Sequence, residues 1–185
     1  MGRDKALLPF LGRPLIQRVL DRLAGLADEE LVAANTAEAY AFLGRPLVPD
    51  LEPGCGPLGG LASSLAAARS SLLAAVGCDM PFADRELLAF ERDLLVQEAV
   101  DVVIPQGAQG LEPLHAVYRK ESCLPVVRAA LQAGERRMIA WLPQVRVRTL
   151  TLEEIARFSP DGLAFWNLNT PEEFVRAEGI ARQGN

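Results

Sequence analysis

The sequence predicts an α/β protein: one doubly wound, mostly parallel sheet with helices on both faces. Two observations carry this. Short apolar runs alternate with amphipathic stretches along the chain, and the runs are apolar throughout rather than alternating with polar residues. Strands covered on both faces by crossover helices require that pattern. The length, 185 residues, fits a single domain spanning 1–185.

The elements follow in order. Pro14 opens PLIQRVLDRLAGL, where Leu15, Ile16, Val19, Leu20 and Leu23 fall at helical spacing and Gly25 lies near the end, so a helix is expected. ELVAAN (30–35) reads as a strand, AEAYAFLG as a helix and PLVPD as a strand. PLGGLASSLAAARS (57–70) predicts a helix of small residues, SLLAAVGCDMP (71–81) a fully apolar strand, DRELLAFERDLLVQ (84–97) a helix and AVDVVIP (99–105) a strand. The remainder is less regular. LHAVYR (114–119) reads as a strand, ESCLPVVRAALQAG as a helix, VRVRTL as an alternating strand, and LAFWNLN (163–169) as a last strand before the helix TPEEFVRAEG. An antiparallel component is expected in this second half.

Composition narrows the function. Hydrophobic residues make up 50% and charged residues 23%, enough for a real core and against disorder. With 24 acidic and 19 basic residues the net charge is −5, so nothing general draws the chain to nucleic acid or an anionic membrane. An anionic ligand would need a local positive site. Cys55, Cys78 and Cys123 show no C-x-x-C spacing and read as buried thiols rather than zinc ligands or disulfides. No run of about 18 apolar residues occurs, and MGRDKALLPF lacks the apolar stretch of a signal peptide, so a cytoplasmic protein is expected.

Ligands of open α/β sheets bind outside the carboxyl ends of the strands. The polar residues there are Asn35, Asp50, Asp79, and Asn167 with Asn169. Asp79 is the sharpest: it ends the most apolar strand, with nothing in sequence to pair it. Such a carboxylate suits Mg²⁺, which is held by one or two carboxylates plus substrate phosphates; the alternative is a cap for the next helix. Gly54, Gly56, Gly59 and Gly60 precede a small-residue helix and allow either close ligand approach or a tight turn. Only two basic residues are lysines, Lys5 and Lys120, and Lys5 can serve a phosphate as a point charge. The one histidine, His115, is as consistent with a satisfied half-buried residue as with a ligand. No Ser, Cys or His set suggests covalent catalysis.

Taken in order, MGRDKALLPFLGRPLIQRVL, VAAN, LVPD, GPLGGL, GCDMPF, GLEPLHAVY, AGERRM and FWNLNTPEEF resemble the molybdenum cofactor guanylyltransferases, nucleotidyltransferases built on a Rossmann-like sheet. The resemblance covers nearly the whole chain. It implies transfer of GMP from GTP to the terminal phosphate of molybdopterin or its molybdenum form, with Mg²⁺ and release of pyrophosphate. It also implies that other cofactor-biosynthesis proteins or molybdoenzymes are partners. Carried over, Lys5 matches the lysine on the nucleotide phosphates, Asn35 and Asp50 match nucleotide-side residues, and Asp79 matches the metal-binding aspartate. Glu112 to His115, Glu135 to Arg137, and Asn167 with Asn169 match positions expected to meet the pterin.

The sequence departs from the family pattern at the front. Members begin with an apolar strand and a loop of the type L-A-G-G-x-S-x-R-M-G, whereas this sequence starts at the closing M-G, so Met1 corresponds to an internal methionine and the first strand and glycine-rich loop are expected to be missing. The rival readings are a CTP-dependent or sugar-phosphate nucleotidyltransferase on the same fold, and a non-catalytic nucleotide- or pterin-binding protein.

Overall fold

The structure, a computed structural model, describes residues 4–51 and 54–183. The readings that concern Met1 and Pro53 fall outside these residues.

The chain opens with a 3₁₀ turn, Lys5–Leu7, and a short hairpin of β1 (Pro9–Phe10) and β2 (Arg13–Pro14). Leu11 and Gly12 make its two-residue turn with φ of 50° and 83°, the primed geometry that favours glycine. Apolar spacing then gives α1 (Leu15–Leu23), which buries Leu15, Ile16 and Val19. β3 (Val32–Ala33) and β4 (Leu47–Val48) pair in parallel around α2 (Ala37–Tyr40) and a 3₁₀ turn, Ala41–Leu43. Next come α3 (Gly56–Ala67), β5 (Leu72–Val76), α4 (Arg85–Gln97), β6 (Val102–Gly107), β7 (Gly110–Leu111), β8 (His115–Arg119) and α5 (Lys120–Gln132). β9 (Val147–Leu150), α6 (Leu152–Ala156) and α7 (Pro171–Gln183) complete the fold.

β5, β6 and β9 run the same way. The exceptions are β8, inserted between β5 and β6 and antiparallel to both, and the short β7, antiparallel to β6, while β9 lies parallel to β6. This is the antiparallel component expected of the second half. Alternate side chains of the inner strands feed two cores. Val102, Ile104, Ala116 and Tyr118 pack with Leu58, Leu61 and Leu65 of α3 and with Cys123 and Val127 of α5. Val103 and Val117 face the other way, against Leu87, Leu88 and Leu95 of α4 and Ile155 of α6. Helices therefore cover both faces. Among the described residues no helix is long and apolar enough to cross a membrane.

Two expectations change. LAFWNLN is not a strand: Leu163–Phe165 is a 3₁₀ turn, followed by chain without a ladder partner. Asp161 Oδ1 accepts from the Leu163 N–H at 3.1 Å and Ser159 Oγ from the Ala164 N–H at 3.1 Å, so the backbone is satisfied locally. The second change concerns β5, expected to be buried on both sides. Among the described residues it pairs only with β8, and its central Ala74 is exposed. Its other edge borders an apolar channel of about 740 Å³ whose opposite wall carries β3, which among the described residues pairs only with β4. Ile16, Leu20, Leu61 and Leu88 line the space between. Open apolar strand edges on both sides of one channel are costly in water.

One ion pair locks β9 to the start of β6. Asp101 Oδ2 accepts from the Arg146 backbone N–H at 2.9 Å and from Nε at 3.1 Å, and Oδ1 accepts from Nη2 at 3.2 Å. These bonds hold the Asp101 carboxyl down to about 2. The native state thus keeps the charged form at pH values where the unfolded chain has taken up a proton, so the contribution is complete above the ordinary aspartate range and is lost as pH falls towards 2. Asp101→Asn is expected to lower the unfolding midpoint in urea at pH 7, with the gap from wild type narrowing between about pH 4 and pH 2; a gap independent of pH would contradict this.

Candidate active site

Three segments distant in sequence meet at Lys5. Its turn begins with Asp4 as cap, whose Oδ1 accepts from the Ala6 N–H at 3.1 Å, while the Tyr40 hydroxyl donates to Asp4 Oδ2. Burial and the Asp4 carboxylate push the Tyr40 hydroxyl pKa up, so it stays a donor. From this braced turn the Lys5 ammonium donates to Asn169 Oδ1 at 2.8 Å and to Asp79 Oδ2 at 3.3 Å. The carboxylate expected to lack a partner therefore has one, supplied from 74 residues away.

Asp79 lies in the turn that follows β5. A Cβ on Gly77 would come within 3.0 Å of Asp79 Oδ1, so the missing side chain there lets the carboxylate fold back over the strand end. Among the described residues no hydrogen bond to Oδ1 is found. The Asp79 carbonyl accepts from the Leu168 N–H at 3.0 Å, which ties the Asn167–Asn169 segment to this turn. Glu173 fixes the same segment from α7: its Oε2 accepts from the N–H groups of Asn169 at 2.6 Å and Thr170 at 2.9 Å. Those backbone donors hold the Glu173 carboxyl below its usual range.

Asn35 and Asp50 form a separate pair at the carboxyl ends of β3 and β4. Asn35 Nδ2 donates to Asp50 Oδ2 at 2.9 Å, and the Asp50 N–H donates to Asn35 Oδ1 at 2.8 Å. Gly60 of α3 lies opposite, where an added Cβ would be 3.8 Å from Asp50 Oδ1. Asn35, Asp50, Gly56, Gly60, Gly77 and Cys78 line the polar mouth of the channel between β3 and β5. On the other side of Asn169 a second cavity, of about 810 Å³, is bounded by Glu112, Trp166, Asn167, Asn169, Glu173 and Arg176. Asn169 lines the second cavity and Cys78, next to Asp79, the first; Lys5 and Asp79 line neither, and their ion pair connects the residues that do.

A model of the MobA-like NTP transferase domain matches residues 1–147. The chain belongs to this family. It is 35% identical to a probable molybdenum cofactor guanylyltransferase of Pelotomaculum thermopropionicum over 181 residues, covering 98% of this chain and 87% of that protein. It is 32% identical to the molybdenum cofactor guanylyltransferase of Desulfosudis oleivorans, covering 99% and 90%. Among solved structures, the molybdopterin-guanine dinucleotide biosynthesis protein A of Archaeoglobus fulgidus matches with a TM-score of 0.85 at 24% identity, over 98% of this chain and 92% of that one. The 2-C-methyl-D-erythritol 4-phosphate cytidylyltransferase of Thermus thermophilus matches at 0.70 and 21% identity, over 96% and 94%. These two likenesses concern the fold.

Within the MobA-like domain the remaining expected residues divide. Glu112 borders the second cavity half-buried, and desolvation raises its carboxyl pKa. His115 is fully buried and lines neither cleft. Glu135 to Arg137 also line neither: Glu135 Oε1 accepts from the Arg136 and Arg137 N–H groups and from Arg137 Nε, which holds its carboxyl down to about 2. Sequence reasoning missed Asp4, Tyr40 and Glu173, and also Arg176, whose guanidinium lies 5.2 Å over the Trp166 ring. The T-P-E-E run carried a signal for Glu173, since an acid three residues after Thr170 at a helix start is a capping box.

Proposed function

We propose that the chain transfers GMP from GTP to the terminal phosphate of molybdopterin or its molybdenum form, releasing pyrophosphate, and acts in the cytoplasm. The observation that carries this reading is the Lys5–Asp79–Asn169 contact, one cation and one carboxylate held next to Cys78 of the first cleft and Asn169 of the second. The cleft holding Asn35, Asp50 and the α3 glycines takes the nucleotide. The cleft holding Glu112, Asn167 and Arg176 takes the acceptor.

In-line attack by an acceptor phosphate oxygen on the α-phosphorus demands positioning and charge neutralisation more than a protein nucleophile. In this reading Lys5 offsets charge building on the pyrophosphate as it leaves. Asn169 and Glu173 orient the acceptor-side segment. Among the described residues Asp79 Oδ1 has no hydrogen bond, and no group of three or more His, Cys, Asp and Glu side chains stands ready to hold a metal. That donor set fits Mg²⁺, an ion held largely by phosphate oxygens and water with one carboxylate from the protein. When bound, Mg²⁺ supplies neutralisation of phosphate charge on both partners.

The channel between β3 and β5 belongs to the same reading. An apolar strand laid there would satisfy both open edges, and a glycine-rich loop at its end would reach the mouth beside Asn35 and Asp50. We take the family's first strand and loop to complete the nucleotide cleft in this way.

Asp79→Asn is expected to lower GMP transfer by at least about a hundredfold at millimolar Mg²⁺ with an unchanged circular dichroism spectrum; wild-type turnover would overturn the role given to the carboxylate. GTP is expected to raise the melting temperature of a chain carrying the added strand and loop more than CTP does. An equal or larger shift with CTP would favour a cytidylyltransferase.

A further inference from the structure

His115 and Glu91 form a fully buried pair that the proposed chemistry leaves unused. The imidazole Nδ1 lies 3.2 Å from Glu91 Oε1, and the backbone N–H of Asp84 donates to Nε2 at 3.2 Å. The second bond fixes the tautomer. Because Nε2 accepts, Nδ1 carries the proton and donates to Glu91. Glu91 Oε2 finds no partner, and burial pushes the carboxyl up to about 7. Glu91 shares the apolar face of α4 with Leu87, Leu88 and Leu95, where a further leucine would avoid the cost of burying a half-satisfied acid.

Its place in the fold says what it holds. His115 starts β8 opposite Val76, the last residue of β5, and the next N–H, that of Gly77, donates to Leu114 O at 2.9 Å. Asp84 caps α4, its Oδ1 accepting from the Leu87 N–H at 2.8 Å. The turn from Gly77 to Asp84, which carries Asp79, is therefore pinned by β8 at both ends. The ring of Phe165 meets the imidazole edge-on at 5.1 Å, and Leu168, three residues later, is bonded to the Asp79 carbonyl. His115 thus touches Asp84, at the end of the turn that carries Asp79, and Phe165, just before the Asn167–Asn169 segment.

We propose that His115, oriented by Glu91, is a positioning residue that sets the Asp79 turn and the Asn167–Asn169 segment relative to each other, through its bond from the Asp84 N–H and its contact with Phe165. The kinetic part of this proposal rests on the transfer reaction proposed above; the structural part does not.

Two substitutions separate the two arms of the imidazole. His115→Gln places an acceptor at the height of Nε2 and gives up the donor to Glu91. His115→Asn keeps a donor at the height of Nδ1 and gives up the acceptor. The Asn variant is expected to lose about tenfold in kcat for GMP transfer, with KM for GTP moving less than about twofold, while the Gln variant loses no more than about threefold. Hydrogen–deuterium exchange gives a readout independent of activity. In the Asn variant, amides of residues 79–84 and 165–169 are expected to exchange about tenfold faster, with β6 and α5 unchanged. Equal effects of the two variants, or exchange rising evenly over the chain, would mean a merely structural histidine and overturn the proposal. If the Asn variant does not fold, Phe165→Leu decides: faster exchange confined to 165–169 supports the contact, and unchanged exchange there overturns it. Should a chain carrying the added strand and loop transfer no nucleotide, the reading of the reaction fails and the exchange pattern alone settles the positioning role.

Discussion

The structure turns on the placement of one ammonium group. Lys5 is held by a 3₁₀ turn at the front of the chain, yet its partners sit after β5 and before α7. Nothing local favours that meeting. It exists because the sheet brings the carboxyl end of β5 to the same edge as the Asn167–Asn169 segment, and because the Asp79 carbonyl is bonded to Leu168. An exposed lysine–aspartate pair stabilises a fold little. This pair, part-buried and shared with an asparagine, is better understood as a rest position for a cation and a carboxylate that phosphates would engage.

The clefts on either side differ in character. The cleft at Asn35 and Asp50 is glycine-rich and apolar, with that reciprocal pair at its mouth. The cleft at Glu112 and Asn167 carries charged and aromatic groups, among them Trp166 stacked on Phe82 at 6.1 Å and covered by Arg176. The proposed reaction, which joins two phosphorylated molecules, would use both spaces.

Much of this was legible in the sequence because the relevant signals were local. The apolar run before Asp79 marked a strand, and the helical spacing of α1, α3, α4 and α5 marked the layers. Other features left no local trace. LAFWNLN has a strand's composition, but side-chain bonds from Ser159 and Asp161 turn it into a 3₁₀ segment. β5 reads as fully buried, while the structure leaves Ala74 open to a channel, since burial depends on neighbours that periodicity does not contain. His115 was legible only as a lone histidine in a strand. Its partner carried a clearer mark: Glu91 is an acid at a core-facing position of an otherwise apolar helix stripe, a pattern that points to a buried pair.

The most direct test is a crystal structure with GTP and Mn²⁺ in place of Mg²⁺, determined on a chain that includes the added strand and loop, with the metal located by its anomalous signal. The account predicts Mn²⁺ on Asp79 Oδ1 between phosphate oxygens, with Lys5 turned from the carboxylate towards the nucleotide. Nucleotide bound with the Lys5–Asp79 pair intact and the metal elsewhere would contradict it.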